Sequence, residues 1–342
     1  MTVIKKANQL ARSLTDLLHL FRSGAAVLLW LFLGIASAVA ADDYPSRAIH
    51  LLIPTVAGGP ADIVGRLYAK RLSALAQQPV IVENPAGASG VIGTEKAMRA
   101  EPDGYTIVLG TTSTMAGINQ IFMKDVSYDF ERDFATIGLI ANAPHVLVVR
   151  ATLPVKSFAE LVALAKQAPG KYTFSSAGPG TIVQMGGELV KYYGGINILH
   201  VPFKGGAPAT TAVMSGTVDM TVNDLTTLGP YIRNGDLRPL AVASTSRLKL
   251  LPDTPTFAEA GFPKIVSSTW WGIAVPKKTP PDIQAKLRQM HLKIVGDREF
   301  VSQLEGMSVE PLYLTPEQTS DFIRSETQKW KTVAAAARIP RD

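Results

Sequence analysis

The chain has 342 residues, 46% hydrophobic and 18% charged, so it can bury a large core and is longer than one typical domain. Its formal charge is +6, but residues 1–40 hold four basic residues and one acidic, which leaves 30 basic against 27 acidic, or +3, in the remainder. The basic residues are scattered without aromatic interleaving, which excludes a nucleic-acid partner, and the absence of cysteine excludes disulfide staples and thiolate chemistry.

In chain order, residues 1–40 carry Lys5, Lys6, Arg12 and Arg22, an apolar run from Ala25 to Ile35, and small residues ending at Ala40. This is the pattern of a cleaved secretory signal peptide, with an apolar run shorter than the roughly 20 residues of a membrane span. Export and a large core together predict a periplasmic protein. From Ala48 to Ile53 a strand-length apolar run breaks at Pro54 into a loop through Gly58 and Gly59, and helical pattern resumes at Asp62. Pro79–Glu83 is a second strand, followed by the loop 84–90 and a helix toward Ala100. Tyr105–Gly110 is a third, leading into the hydroxyl-rich stretch 111–119. The pattern restarts at His145–Arg150, with a capping box at Ser157 and Glu160, strands at 172–175, 197–202, 218–222 and 237–243, and helices between them. The last hundred residues supply a second capping box at Thr256–Glu259, a strand at 269–275 and two closing helices, one capped by Thr315 and Gln318. Strand–helix alternation with loops of this length predicts an α/β fold of two lobes, each a mostly parallel sheet flanked by helices. The expected division is 41–143 plus 243–342 for the first lobe and 144–242 for the second, with the hinge at the crossings near Ala143 and Ala243.

Five strands end in short loops of Gly, Ser, Thr, Ala, Pro and Asn: 55–62, 84–90, 111–119, 175–181 and 203–208. The carboxyl ends of strands in open parallel sheets form ligand crevices, and a helix start there presents free amide donors to an anion. Candidate ligand contacts in the first half are Thr55, Ala57, Gly58, Gly59, Asp62, Ala88, Ser89, Gly90, Ser113 and Thr114. In the second half the loops offer Ser175, Ser176, Gly178, Thr181, Phe203 and Lys204. Several also have a structural reading: Asp62 suits bracing of a helix dipole better than ligand contact, and Ser175, Ser176 and Thr181 suit caps. Lys204 is either solvated or turned to the ligand. Trp270 and Trp271, adjacent on a strand, face opposite ways, one toward the core. His19, His50, His145, His200 and His291 lie too far apart for a metal site, so no metal and no cofactor is expected. GxGxxG, GxxxxGK[ST] and GxSxG are all missing, and the loops offer hydroxyls and amides without a convincing base, which suits holding a ligand better than transforming it.

The segments PSRAIHLLIPTVAGGPADIVGR, QQPVIVENPAGASGVIG, PDGYTIVLG, VPFKGGAPA, LRPLAVAS, LPDTPTFAEAG and WWGIAVP resemble, in order, the Bug-type receptors of tripartite tricarboxylate transporters. That resemblance implies a two-lobed periplasmic binding protein fold, type II-like, that closes as a monomer on a small organic acid and delivers it to membrane permease subunits. It also implies that residues 55–62 and 85–90 hold a ligand carboxylate through amides and ordered water, and that the opposite lobe contributes Ser175, Ser176, Gly178, Thr181, Phe203, Lys204 and Asp224. Two positions depart from the family's pattern: Thr55 stands in place of an aromatic, and Gln184 in place of a frequent histidine. The alternatives are a secreted enzyme of similar lobed architecture and an orphan sensor, which turnover and neighbouring membrane-subunit genes would distinguish.

Overall fold

The computed structural model describes residues 44–337 and 339, and the expected signal peptide lies outside them. Among the described residues, no helix is long and apolar enough to cross a membrane.

Strand β1 (Ile49–Leu52) is wholly apolar except His50 and feeds helix α1 (Pro60–Ala76), whose Pro60 occupies a first-turn position where no N–H is needed. Strand β2 (Val80–Glu83) lies parallel to β1 on one side, with Ile49 opposite Val80. After helix α2 (Val91–Met98), strand β3 (Thr106–Thr111) lies parallel on the other side. The three strands therefore end along one edge, and their loops emerge side by side. Three short helices follow: α3 (Thr112–Met115), α4 (Ile118–Phe122) and α5 (Phe130–Asp133).

The sequence pattern starts the next strand at His145, but β4 runs from Phe134 to Arg150, 17 residues. Its first half is interrupted by Gly138, Asn142 and Pro144, which hides the strand from periodicity. Pairing with strand β9 (Ser268–Pro276) holds it in place, through two register shifts. Gly138 is required by packing: a Cβ there would stand 2.3 Å from His291 Nε2 on helix α10 (Pro281–Val295). The first sheet has the order β2-β1-β3-β9-β4, with the two-residue strand β10 (Glu310–Pro311) on the far side of β4.

At His145, β4 changes partners and enters the second sheet, pairing with β7 (Met220–Asp224) and β8 (Leu237–Val242), both antiparallel to it. Beyond β7 lie β5 (Thr173–Ser176) and β6 (Leu199–Pro202), in parallel. Helices α6 (Phe158–Gln167), α7 (Ile182–Gly194), α8 (Gly206–Met214) and α9 (Leu225–Arg233) connect these strands. One long strand is thus shared by two sheets.

Where the chain passes between the sheets, three segments hydrogen-bond to one another. Ala243 N donates to His145 O (2.8 Å), Ser267 N to Ala243 O (3.0 Å), and His145 N to Ser267 O (3.0 Å). The His145 ring is fully buried there, its Nδ1 bonded to Ser267 Oγ and its Nε2 to Thr269 Oγ1, both at 2.9 Å. Burial, aided by the charge of Lys329, drives its pKa down to about 3, so it is neutral.

Residues 244–266, grouped with the first lobe in the expected division, pack against the second sheet. Phe257 and Phe262 meet Phe158 edge-on at 4.9 and 4.8 Å, each contact worth about 0.5–1.5 kcal/mol beyond its burial, and Leu248 joins the cluster containing Val146 and Val148. The chain rejoins the first sheet at Ser268. Helices α10, α11 (Arg298–Glu305) and α12 (Pro316–Ala336) follow, the second of them unmarked by the sequence pattern. His291 anchors α10 to β4, with Nε2 bonded to Leu139 O and Nδ1 to Tyr68 OH, both at 3.1 Å. Both tryptophans are buried: Trp270 stacks edge-on against Phe322, while the Trp271 indole N–H is enclosed without a partner.

Candidate functional site

The first loop is built around Asp62. Its carboxylate, nearly fully buried, accepts hydrogen bonds from Gly58 N (2.8 Å), Arg66 Nε (2.9 Å) and Asn84 Nδ2 (3.0 Å). Burial pushes its pKa up, but the bonds from Arg66, Gly58 and Asn84 outweigh that and hold it below the usual carboxylate value. All these bonds stay within the first lobe, so the side chain braces the loop against α1 and ties it to the neighbouring loop through Asn84. Val56, Ala57 and Gly58 at the tip remain exposed.

The second loop has four successive residues in left-handed backbone space: Gly87 (φ 132°), Ala88 (45°), Ser89 (53°) and Gly90 (94°). Two non-glycine residues there are strained, at roughly 1–3 kcal/mol each, and such strain persists only where surrounding contacts over-determine it. The contacts are evident. Ser89 Oγ donates to Pro179 O at 2.6 Å, Asn119 Nδ2 donates to Ser89 O at 3.0 Å, and a Cβ on Gly90 would lie 3.2 Å from Pro54 O. The strained turn thus aims the Ser89 hydroxyl at the opposite lobe.

Other pairs also meet across the two sheets. Ser113 Oγ accepts from Ile182 N at 2.9 Å, the first amide of α7. A Cβ on Gly205 would touch Val56 Cγ2 at 3.5 Å, and one on Gly180 would approach Asn119 Cα at 3.3 Å. The loops after β1, β2 and β3 therefore face those after β5 and β6, and the two sets are in contact.

Several expected contacts are engaged within their own lobe. Ser175 Oγ donates to Ala209 O (2.9 Å), and Ser176 Oγ bonds His200 Nε2 (2.6 Å). Thr181 caps α7, donating to Gly178 O at 2.7 Å, and Thr114 forms a capping box with Thr111. Asp224 caps α9 through Thr227 N at 3.1 Å, and burial raises its pKa. Gln184 Oε1 accepts from Gly180 N at 2.9 Å, steadying the same loop. Phe203 packs on the second-lobe core, and Lys204 is exposed.

Thr55 Oγ1 and Asn223 Nδ2, near these loops, are among the enclosed polar atoms without a partner. The sequence reading stopped at the strand end Asn223-Asp224 and took the acid; the amide is the one left free. Asn119 and Val56 were also missed, because each lies between residues that attract attention and its role depends on what faces it.

Two sheets sharing one strand, with loops from the carboxyl ends of their parallel strands opposed, define a periplasmic binding protein fold. The chain belongs to the tripartite tricarboxylate transporter receptor family, whose pattern matches residues 64–338. It is 33% identical to protein BugT of Bordetella pertussis over 300 residues, covering 88% of this chain and 92% of that protein. Among solved structures, an R. palustris protein with adipate is 31% identical with a TM-score of 0.83, covering 87% of this chain and all of that one. MatC from Rhodopseudomonas palustris, with bound malate, is 26% identical with a TM-score of 0.79, covering 84% and 99%.

Proposed function

We propose that this protein is an extracytoplasmic solute receptor that closes two lobes on a small carboxylate-bearing acid and presents it to the membrane permease of a tripartite transporter. The observation that carries the reading is the opposition of the two loop sets: a strained Ser89 and a capping-helix Ser113 reach across to Pro179 and Ile182. Both hydrogen bonds pair a serine hydroxyl with a backbone group of the opposite lobe, and water can replace either partner when the lobes part. The lobes divide at Pro144/His145 and at Ser267/Ser268, where the chain changes sheets and where the hinge would lie. The first-lobe loop amides with no hydrogen bond of their own, at Ala57, Ala88 and Ser89, would hold the ligand's carboxylate. Similarity to receptors solved with adipate and malate supports an acid as ligand. The receptor acts in the periplasm, as a monomer, without a cofactor and without turnover.

The test is a thermal-shift panel of mono-, di- and tricarboxylates on the purified protein, with mass spectrometry of whatever co-purifies. A specific ligand at 100 times its dissociation constant stabilises the fold by about 2.7 kcal/mol, a shift easily read. A panel in which no acid moves the melting temperature refutes the reading.

A further inference from the structure

We infer that the second lobe receives an uncharged, hydrogen-bond-accepting end of the ligand at Asn223 and the start of α8, so that the acid carried is a monoanion and not a dicarboxylate. This rests on the carboxylate-receptor reading above and names its substrate class. Asn223 ends β7 and is 2% exposed. Its Oδ1 accepts from Asp224 N at 3.0 Å, which fixes the amide's orientation, since the flipped form would set NH₂ against N–H. Nδ2 is left enclosed with no partner, a donor that protein interiors seldom tolerate. A Cβ on Gly206 would lie 3.1 Å from it, so the amide faces the first turn of α8, where the leading N–H groups have no intrahelical acceptor. From the other lobe, Thr55 brings a second enclosed and unpartnered hydroxyl, one residue from Val56, whose Cγ2 would lie 3.5 Å from a Cβ on Gly205. Asn223 Nδ2 and the leading amides of α8 are neutral donors at the Gly205–Gly206 pair, and the Thr55 hydroxyl is a neutral donor on the facing loop.

Charge decides what they receive. Among the described residues no lysine or arginine is buried. Lys204, in the loop before α8, is exposed and screened by water, and a screened cation does little for an enclosed anion. The neighbouring Asp224 is a buried acid with no cation beside it, its pKa raised by burial. A second carboxylate seated at Asn223 would be desolvated without a buried counter-charge and set near that acid. The partial positive charge of the α8 terminus is satisfied as well by a carbonyl, which carries no such desolvation cost.

The test is calorimetric titration of the purified protein with succinate, glutarate and adipate against their monoamides succinamate, glutaramate and adipamate, with pentanoate as the plain monoacid. The expected result is that a monoamide binds at least about tenfold more tightly than the dicarboxylate of its own length and than pentanoate, and that Asn223→Leu removes this advantage while the protein keeps its melting temperature. Should Asn223→Leu fail to fold, Asn223→Ser is the substitute, with the same loss expected. A dicarboxylate, or pentanoate, that binds as tightly as the monoamide overturns the inference and leaves the carboxylate receptor standing. If no compound of either series binds, both readings fall.

Discussion

Replacing Ser113 with alanine should open the two lobes, because its effect falls on one arrangement only. Ile182 N is the leading amide of α7, has no intrahelical acceptor and sits in a residue 3% exposed; its one partner is Ser113 Oγ across the lobes at 2.9 Å. In the closed form the alanine variant leaves that N–H enclosed and unpaired, at a cost of about 1–3 kcal/mol, whereas in the open form water takes the place of the hydroxyl at no cost. The ratio of closed to open should therefore fall about 5- to 150-fold. Ser89→Ala removes the bond to Pro179 O and should have a smaller effect, about 0.5–1.5 kcal/mol, because the carbonyl keeps access to other donors. The chain has no cysteine, so Ala74→Cys on α1 and Ala163→Cys on α6, both exposed, give a clean dye pair for single-molecule energy transfer. Measurements with and without a stabilising carboxylate should show the closed population reduced in Ser113→Ala. An unchanged distribution in both conditions, together with unchanged affinity for that carboxylate, would refute the reasoning.

His145 and His291 are buried and neutral, with pKa values near 3 and 4 in the folded state, so the unfolded chain takes up their protons first. Stability should fall as pH drops below about 6.5 at up to about 1.4 kcal/mol per pH unit for each, and should not depend on them above pH 7. Urea unfolding at several pH values checks this: His145→Gln should flatten the slope, and a wild-type stability flat down to pH 5 would contradict it. Gly138→Ala sets a methyl 2.3 Å from His291 Nε2 and should destabilise by about 1–3 kcal/mol, a loss that His291→Ala should partly recover in a double-mutant cycle. The two glycines nearest the proposed carboxylate should behave differently. Gly59 has φ −78° and only Val56 O at 3.4 Å from an added Cβ, so Gly59→Ala should fold with stability within about 0.5 kcal/mol of wild type. Gly90, at φ 94° with Thr114 Cγ2 at 3.1 Å, should lose about 1–3 kcal/mol on the same change, by urea titration.

The strands and capping boxes that rest on local chemistry were legible in the sequence. Thr315 and Gln318 bond reciprocally at the start of α12, and Thr256 and Glu259 do the same, although Gly261 stops that segment after a single turn. The first half of β4 was not legible, because Gly138, Asn142 and Pro144 answer to His291 and to the change of sheets, and both are tertiary facts. The same distinction separates the candidate site residues. Ser175, Thr181 and Asp224 are polar residues at strand ends or helix starts, and composition alone cannot distinguish a cap from a ligand contact. Their hydrogen bonds are satisfied locally. Asn223 differs from Asp224 by one position and by what faces it: the acid turns back to its own helix, while the amide's donor is left toward α8 with nothing to meet it. A donor stranded inside a closed structure is a cost that the fold carries until a ligand removes it. The unpartnered donor of Asn223, which composition does not reveal, is therefore the observation on which the proposed second-lobe contact rests.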